Sequence, residues 1–232
     1  MKLTVLGCNG PYPEAGGACS GYLLEAGDTR VLLDCGTGVL AALTAIMPPE
    51  SLDAIVLSHL HYDHMSDMLP LIYRMQGKKR LPVYAPLEPA PVRALLEGAF
   101  DLRDIAGDGR VGEIAFTALP VRHPVPCCAV RYAAEGKALC YTGDTNTCPE
   151  LTSFAAGCDV LLADGCFTDA LWAENKPHLS ARLAARLARE AGAKACVITH
   201  FTPGCDEKAL LAEAREEYPE AVLARAGLRL DF

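Results

Sequence analysis

The sequence predicts an α+β fold of mixed β-sheets covered by helices. Two observations carry this reading: the chain opens with short β-prone runs set apart by Gly and Pro clusters, and its last third alternates helix-period with strand-like segments. Hydrophobic residues make up 51% and charged residues 22% of the 232, enough for a large core and too apolar for extensive disorder. No linker, low-complexity segment or solenoid-period repeat divides the chain, so one domain over 1–232 is the expectation.

In chain order, 3–6, 21–25 and 30–34 read as antiparallel strands. Segment 53–58 carries a continuous apolar run and ends at His59, the pattern of a buried strand that delivers a histidine to its own end. Segment 67–75 has apolar residues at helical spacing and stops before Gly77 and the basic Lys78-Lys79-Arg80, as a helix C-terminus should. A strand over 81–84 precedes a helix over 91–100 with Pro in its first turn. Runs 113–119, 129–132 and 138–141 are strands, so the second half repeats the theme of the first. After Pro149 come a helix, strand 160–163, helix 180–191, strand 195–199, helix 207–218 and strand 221–224. Segment 167–177, with Trp172, reads as a long surface loop.

Bulk charge narrows the function. A net charge of −8 argues against an extended grip on nucleic acid, which needs a basic face to displace counterions. The N-terminal run is too short for a signal peptide and meets Cys, Asn, Gly and Pro at once, and nothing approaches a membrane span. The 11 cysteines are odd in number and form no C-x-x-C pair; a cytoplasmic protein with reduced thiols is expected.

Chemistry is concentrated in Ser58-His59-Leu60-His61-Tyr62-Asp63-His64, four candidate ligands within six positions. In an extended stretch His59, His61 and Asp63 share a face, because the side-chain period is two. Imidazoles and carboxylates are what zinc, manganese or iron accept. One ion rarely takes four such groups from a single loop, which implies two. His123, Asp144 and His200 each follow a predicted strand, the placement that a site along one sheet edge would take.

The order His-x-His-x-Asp-His, His, Asp, His resembles the metallo-β-lactamase superfamily over essentially the whole chain. Asp34-Cys35-Gly36-Thr37-Gly38, Gly143-Asp144-Thr145, and Pro177-His178-Leu179-Ser180 ahead of His200-Phe201-Thr202-Pro203 resemble its ribonuclease Z and phosphodiesterase branch. The resemblance implies a four-layer αββα sandwich with two divalent ions at one rim, zinc first and manganese or iron as alternatives. It assigns His59, His61 and His123 to one ion, Asp63, His64 and His200 to the other, and Asp144 to both. Asp63 is expected to double as proton acceptor, and His178 as proton donor to the leaving or developing oxyanion.

The segment from His123 to Asp144 is consumed by two short strands and leaves no room for the tRNA-gripping arm of ribonuclease Z. A small, cyclic-nucleotide-like phosphodiester is therefore the expected substrate. The alternatives are RNA 3′-end cleavage, a lactone or thioester on the same site, and a non-catalytic metal-binding protein. The family also implies a homodimer.

Several residues keep two readings. Asp34 either orients a ligating imidazole or simply forms a turn. The loops at Asn9-Gly10-Pro11 and Gly16–Ser20 either present backbone amides to a phosphate or are plain loops. Trp172 and Phe167 either stack on a base or pin their loop. Arg182, Arg186 and Arg189 share one helix face and read as a solvated stripe rather than an RNA-binding one.

Overall fold

The structure, a computed structural model, describes residues 1–78 and 80–232; Lys79, in the basic run expected to close a helix, lies outside the described residues. The first half supplies strands β1 (Lys2–Gly7), β2 (Gly21–Ala26), β3 (Thr29–Leu33), β4 (Ala54–Val56), β5 (Pro82–Ala85) and β6 (Asp101–Asp104). The second supplies β7 (Asp108–Val111), β8 (Ile114–Pro120), β9 (Cys128–Ala134), β10 (Lys137–Tyr141), β11 (Val160–Asp164), β12 (Cys196–Thr199), β13 (Val222–Leu223) and β14 (Arg229–Asp231). Helices α1 (Val39–Thr44), α2 (Tyr62–Met65), α3 (Met68–Met75), α4 (Ala90–Arg93), α5 (Glu150–Phe154), α6 (Ala181–Ala191) and α7 (Glu207–Glu217) lie between them.

The strands form two mixed sheets, ordered β14-β1-β2-β3-β4-β5-β6 and β13-β12-β11-β10-β9-β8-β7. Each half begins antiparallel and turns parallel: the switch comes at β3–β4 in one sheet and at β10–β11 in the other. The last strand, β14, crosses back to pair with β1, with Leu3 opposite Leu230.

The inner strands read as continuous apolar runs because both their faces are covered. In the first sheet Leu3, Val5, Leu24 and Leu33 pack with Val130, Tyr132, Leu139 and Leu161 of the second. Leu23, Leu32, Ile55 and Val83, on its other face, pack with Val39 and Leu43 of α1 and with Met68 and Leu71 of α3. On the far side, α6 buries Ala184, Ala185 and Ala188, small residues that let the helix approach the sheet closely. This is the αββα sandwich expected. Ser180 caps α6 by accepting from the Leu183 amide, and Gly192, at φ 65°, ends it in the left-handed conformation.

The arginine stripe of α6 is spoken for. Arg182 pairs with Asp169 and Glu216, Arg186 with Glu217 at 2.7 Å, and Arg189 with Glu217 at 3.0 Å, tying α6 to α7. The helix expected over 91–100 is instead α4 followed by a 3₁₀ turn, Ala94–Leu96. Gly98, at φ 77°, turns the chain there so that Leu96 and Phe100 drop into the core. None of the described helices is long and apolar enough to cross a membrane, and all 11 cysteines are free thiols.

Candidate metal centre

Four of the seven candidate ligands sit just beyond a strand end on the same rim. His59 follows β4, His123 follows β8, Asp144 follows β10 and His200 follows β12. His61 is extended (φ −69°, ψ 151°), but Asp63 and His64 stand on the single turn of α2. The expectation that Asp63 shares an extended face with His59 and His61 is thus corrected: a helical turn puts Asp63 and His64 side by side, and both reach the site.

Backbone geometry is specialised where the site needs it. Asp34 (φ 56°) and His200 (φ 61°) are left-handed non-glycine residues, a conformation that surrounding structure must enforce. A Cβ on Gly10 would lie 2.1 Å from His200 Nε2, and one on Gly36 1.9 Å from the Asp63 carbonyl oxygen, so only glycine lets these loops close on the site.

The side chains gather in two clusters. In one, His61 Nδ1 lies 3.1 Å from His59 Nε2 and 3.0 Å from His123 Nε2. In the other, His200 Nε2 lies 3.1 Å from Asp63 Oδ2, and His64 Nε2 lies 3.6 Å from the same oxygen. Asp144 Oδ2 stands between them, 3.2 Å from both His64 Nε2 and His200 Nε2 and 3.7 Å from His59 Nε2. Ligands at zinc-like bond lengths in a tetrahedron are about 3.4 Å apart, so these spacings suit two ions sharing Asp144.

The hydrogen-bonding pattern fits cations as well. The Pro177 carbonyl can only accept, so His123 Nδ1 donates to it (3.3 Å) and Nε2 presents a lone pair inward. His64 Nε2 and Asp144 Oδ1 are buried without a hydrogen-bond partner, a costly arrangement that a cation would relieve.

Electrostatics follow the carboxylates. Burial pushes His59 and His123 down, His123 to about 4, with Asp144 only partly offsetting it. Burial also opposes charge on His64, but Asp144 and Asp34 outweigh it and hold the ring up to about 10; on His200 burial again opposes the charge and is outweighed, chiefly by Asp144. Asp144 is buried too, yet His200 and His64 keep it well below the usual carboxylate range. The site therefore calls for positive charge, which a proton or a metal ion can supply.

A supporting layer surrounds the donors. Asp34 Oδ2 lies 2.8 Å from His64 Nδ1 and accepts from Ser58 Oγ (2.8 Å) and Tyr141 OH (2.7 Å), while Oδ1 accepts from the Ser58 amide (2.7 Å). Of its two readings, orientation of an imidazole is the one this geometry favours. His178 Nδ1 faces Asp164 Oδ2 at 2.8 Å and lies 3.9 Å from Asp144 Oδ2. Burial would lower the His178 pKa, but Asp164 reverses the effect and raises it.

Asp164, Tyr141 and Asn146 escaped the sequence reading. Asp164 alone had a signal, since it ends an apolar strand as Asp34 and Asp144 follow theirs. Asn146 Nδ2 reaches the carbonyls of Ala173 (3.1 Å), Glu174 (3.3 Å) and Lys176 (2.6 Å), and its Oδ1 accepts from Trp172 Nε1 (3.2 Å). Trp172 is therefore a loop pin. Phe167 lies 5.8 Å from the His178 ring, with Lys176 Nζ over its face. In the glycine loops, the amides of Asn9, Gly10, Gly17 and Cys19 already donate to carbonyls, so the reading in which these four grip a phosphate is corrected.

Comparison with known proteins places this geometry among relatives. Residues 29–201 match the beta-lactamase superfamily domain. The chain is 34% identical to a probable metallo-hydrolase, YhfI, of Bacillus subtilis, over 87% of both chains. The crystal structure of YhfI superposes with a TM-score of 0.93 at 32% identity, covering 99% of this chain and 98% of that one. A ribonuclease Z of Methanopyrus kandleri is 29% identical over 98% of this chain and 96% of its own. A diphosphatase of the PhnP family shares the fold, with a TM-score of 0.78 at 21% identity over 100% and 96% of the two chains. The match over 29–201 and the likeness to YhfI show that the chain belongs to the β-lactamase superfamily, in its ribonuclease Z-like branch.

Proposed function

We propose that the protein is a binuclear metal-dependent hydrolase that cleaves a small phosphodiester, such as a cyclic nucleotide. The observation that carries this is Asp144 Oδ2 standing between the two clusters, from which one carboxylate would serve both ions. His59, His61 and His123 would hold one ion, Asp63, His64 and His200 the other. Zinc suits the donor set, and manganese or iron would also be accepted. When bound, such a pair supplies Lewis acidity and lowers the pKa of water at the site.

The chain's own residues do the rest. Asp63, kept anionic by His200 and His64 in spite of burial, takes the proton of the attacking water. His178, whose Nδ1 is bound to Asp164, has Nε2 left to give a proton to the departing alkoxide. The Pro177 carbonyl fixes His123, and Asp34 fixes His64, so both rings present the same nitrogen throughout. Support for a small substrate comes from the β9–β10 hairpin, whose turn holds only Glu135 and Gly136, and from the acidic net charge.

The test is metal analysis together with hydrolysis of bis(p-nitrophenyl) phosphate and 3′,5′-cyclic AMP beside a lactone and a β-lactam. About two metals per chain are expected, with phosphodiester turnover abolished in Asp63→Ala and reduced on the order of a hundredfold in His178→Ala. Preferential cleavage of the lactone or the β-lactam would overturn the phosphodiester assignment, and a purified protein that binds no metal would overturn the whole reading.

A further inference from the structure

Next to the first cluster, a cleft of about 560 Å³ opens between the loops that follow β5 and β6 and the segment joining β8 to β9. His123 forms part of its wall, so a group held at the metal cluster borders the cleft directly. The rest is mostly apolar, with Leu87, Ile105, Val121 and Val125 among the lining side chains. Leu87 is 56% exposed, so its side chain is open to a ligand in the cleft.

The charged groups of the cleft have one sign. Glu88 and Asp104 line it, and no lysine or arginine does among the described residues. Each carboxylate also accepts an amide of its own loop, Glu88 from Ala90 and Asp104 from Ala106, which fixes both at the rim. A second phosphate entering here would meet two carboxylates and no cation, and like charges brought together cost affinity. An uncharged ring would cover Leu87, Val121 and Val125 and displace water from them. The volume is of the size that holds small organic ligands.

We infer that this cleft is the subsite for one ester arm of the substrate, and that the arm is apolar and carries no further negative charge, as an aryl group or a nucleobase does. The inference rests on the phosphodiesterase reading for the placement of the phosphate at the metals. It selects a diester with one charged phosphate over an oligonucleotide continuing past His123.

The experiment compares phenylphosphonate with methylphosphonate, which share a headgroup and do not react, by calorimetry on the metal-loaded protein. Phenylphosphonate is expected to bind at least tenfold more tightly, a difference of about 1.4 kcal/mol. Leu87→Asn and Val125→Asn, which add no charge, should each erase most of that preference and leave methylphosphonate affinity unchanged. Leu87 is exposed enough for its variant to fold, which secures the comparison if the Val125 variant does not. Equal affinities in the unaltered protein, or no affinity for either compound, would overturn the subsite. Bis(p-nitrophenyl) phosphate hydrolysis is followed in parallel: its absence alongside a preserved phenyl preference would remove the phosphodiesterase reading and leave the apolar cleft standing.

Discussion

Burial alone would strip His178 of its proton, since taking an imidazolium out of water disfavours the charged form. Asp164 Oδ2, 2.8 Å from Nδ1, reverses that and raises the pKa. The sign of the consequence is fixed. A donor with a raised pKa works below that value and fails as pH rises through it, so with His178 as the proposed donor Asp164 would extend activity to the alkaline side. In Asp164→Asn the burial effect remains without its counterweight, and the alkaline limb of the kcat–pH profile should move to lower pH. A limb that stays in place while kcat falls would show that His178 is not the proton donor. Asn146 belongs to the same scale: it ties down the strap from Trp172 to Lys176, and the next residue, Pro177, supplies the carbonyl that orients His123. Nothing in the sequence marks that asparagine, because its role exists only once the strap has folded over it.

At the scale of elements, the junction between β10 and β11 depends on Asp159. Its carboxylate accepts from the Ala138 amide at 2.9 Å and pairs with Lys194 (2.9 Å) and Lys137 (3.4 Å). Desolvation opposes the charge, but the Lys194 bond and the Ala138 amide prevail and lower the pKa to about 2. A depressed folded-state pKa means stability that is complete above the unfolded value of about 4 and is lost as pH falls toward 2. Asp159→Asn should therefore melt below the unaltered protein at pH 6, and the gap should narrow between pH 4 and 2. A gap independent of pH would mean that the carboxylate acts only through shape. The strands missed in the sequence share a cause. Strands β6, β7 and β14 are sheet edges, and Asp101-Leu102-Arg103-Asp104, Asp108-Gly109-Arg110-Val111 and Arg229-Leu230-Asp231 carry the charges that edges tolerate and that hide a strand's pattern. Strands covered on both faces were plain to read, as were the ligand-type residues His59, His123, Asp144 and His200 that follow strand ends, because apolar runs before such residues have few other meanings. Helix α2 was hidden by its length, since four residues show no period.

For the whole molecule, the site joins segments distant in sequence: β4 and α2 from the first half meet β8, β10 and β12 from the second around Asp144. An ion bound there bridges both sheets and exists only in the folded chain, so metal binding should add to global stability by mass action. A free metal concentration a hundredfold above Kd contributes about 2.7 kcal/mol for one site. In a chain of this size that corresponds to about 5 to 11 °C in Tm. Removing metal with a chelator should lower Tm by that order, and adding zinc back should restore it. The effect should also weaken toward acid, because protons compete for the same nitrogens and Asp144 holds a proton on His64 up to a pKa of about 10. Differential scanning calorimetry of loaded and stripped protein at pH 8 and pH 5.5 tests both statements. A stripped protein that melts at the same temperature as the loaded one would mean that the two sheets hold the seven candidate ligands in place unaided, and that the repulsion and unpaired groups of the site are borne by the sandwich itself.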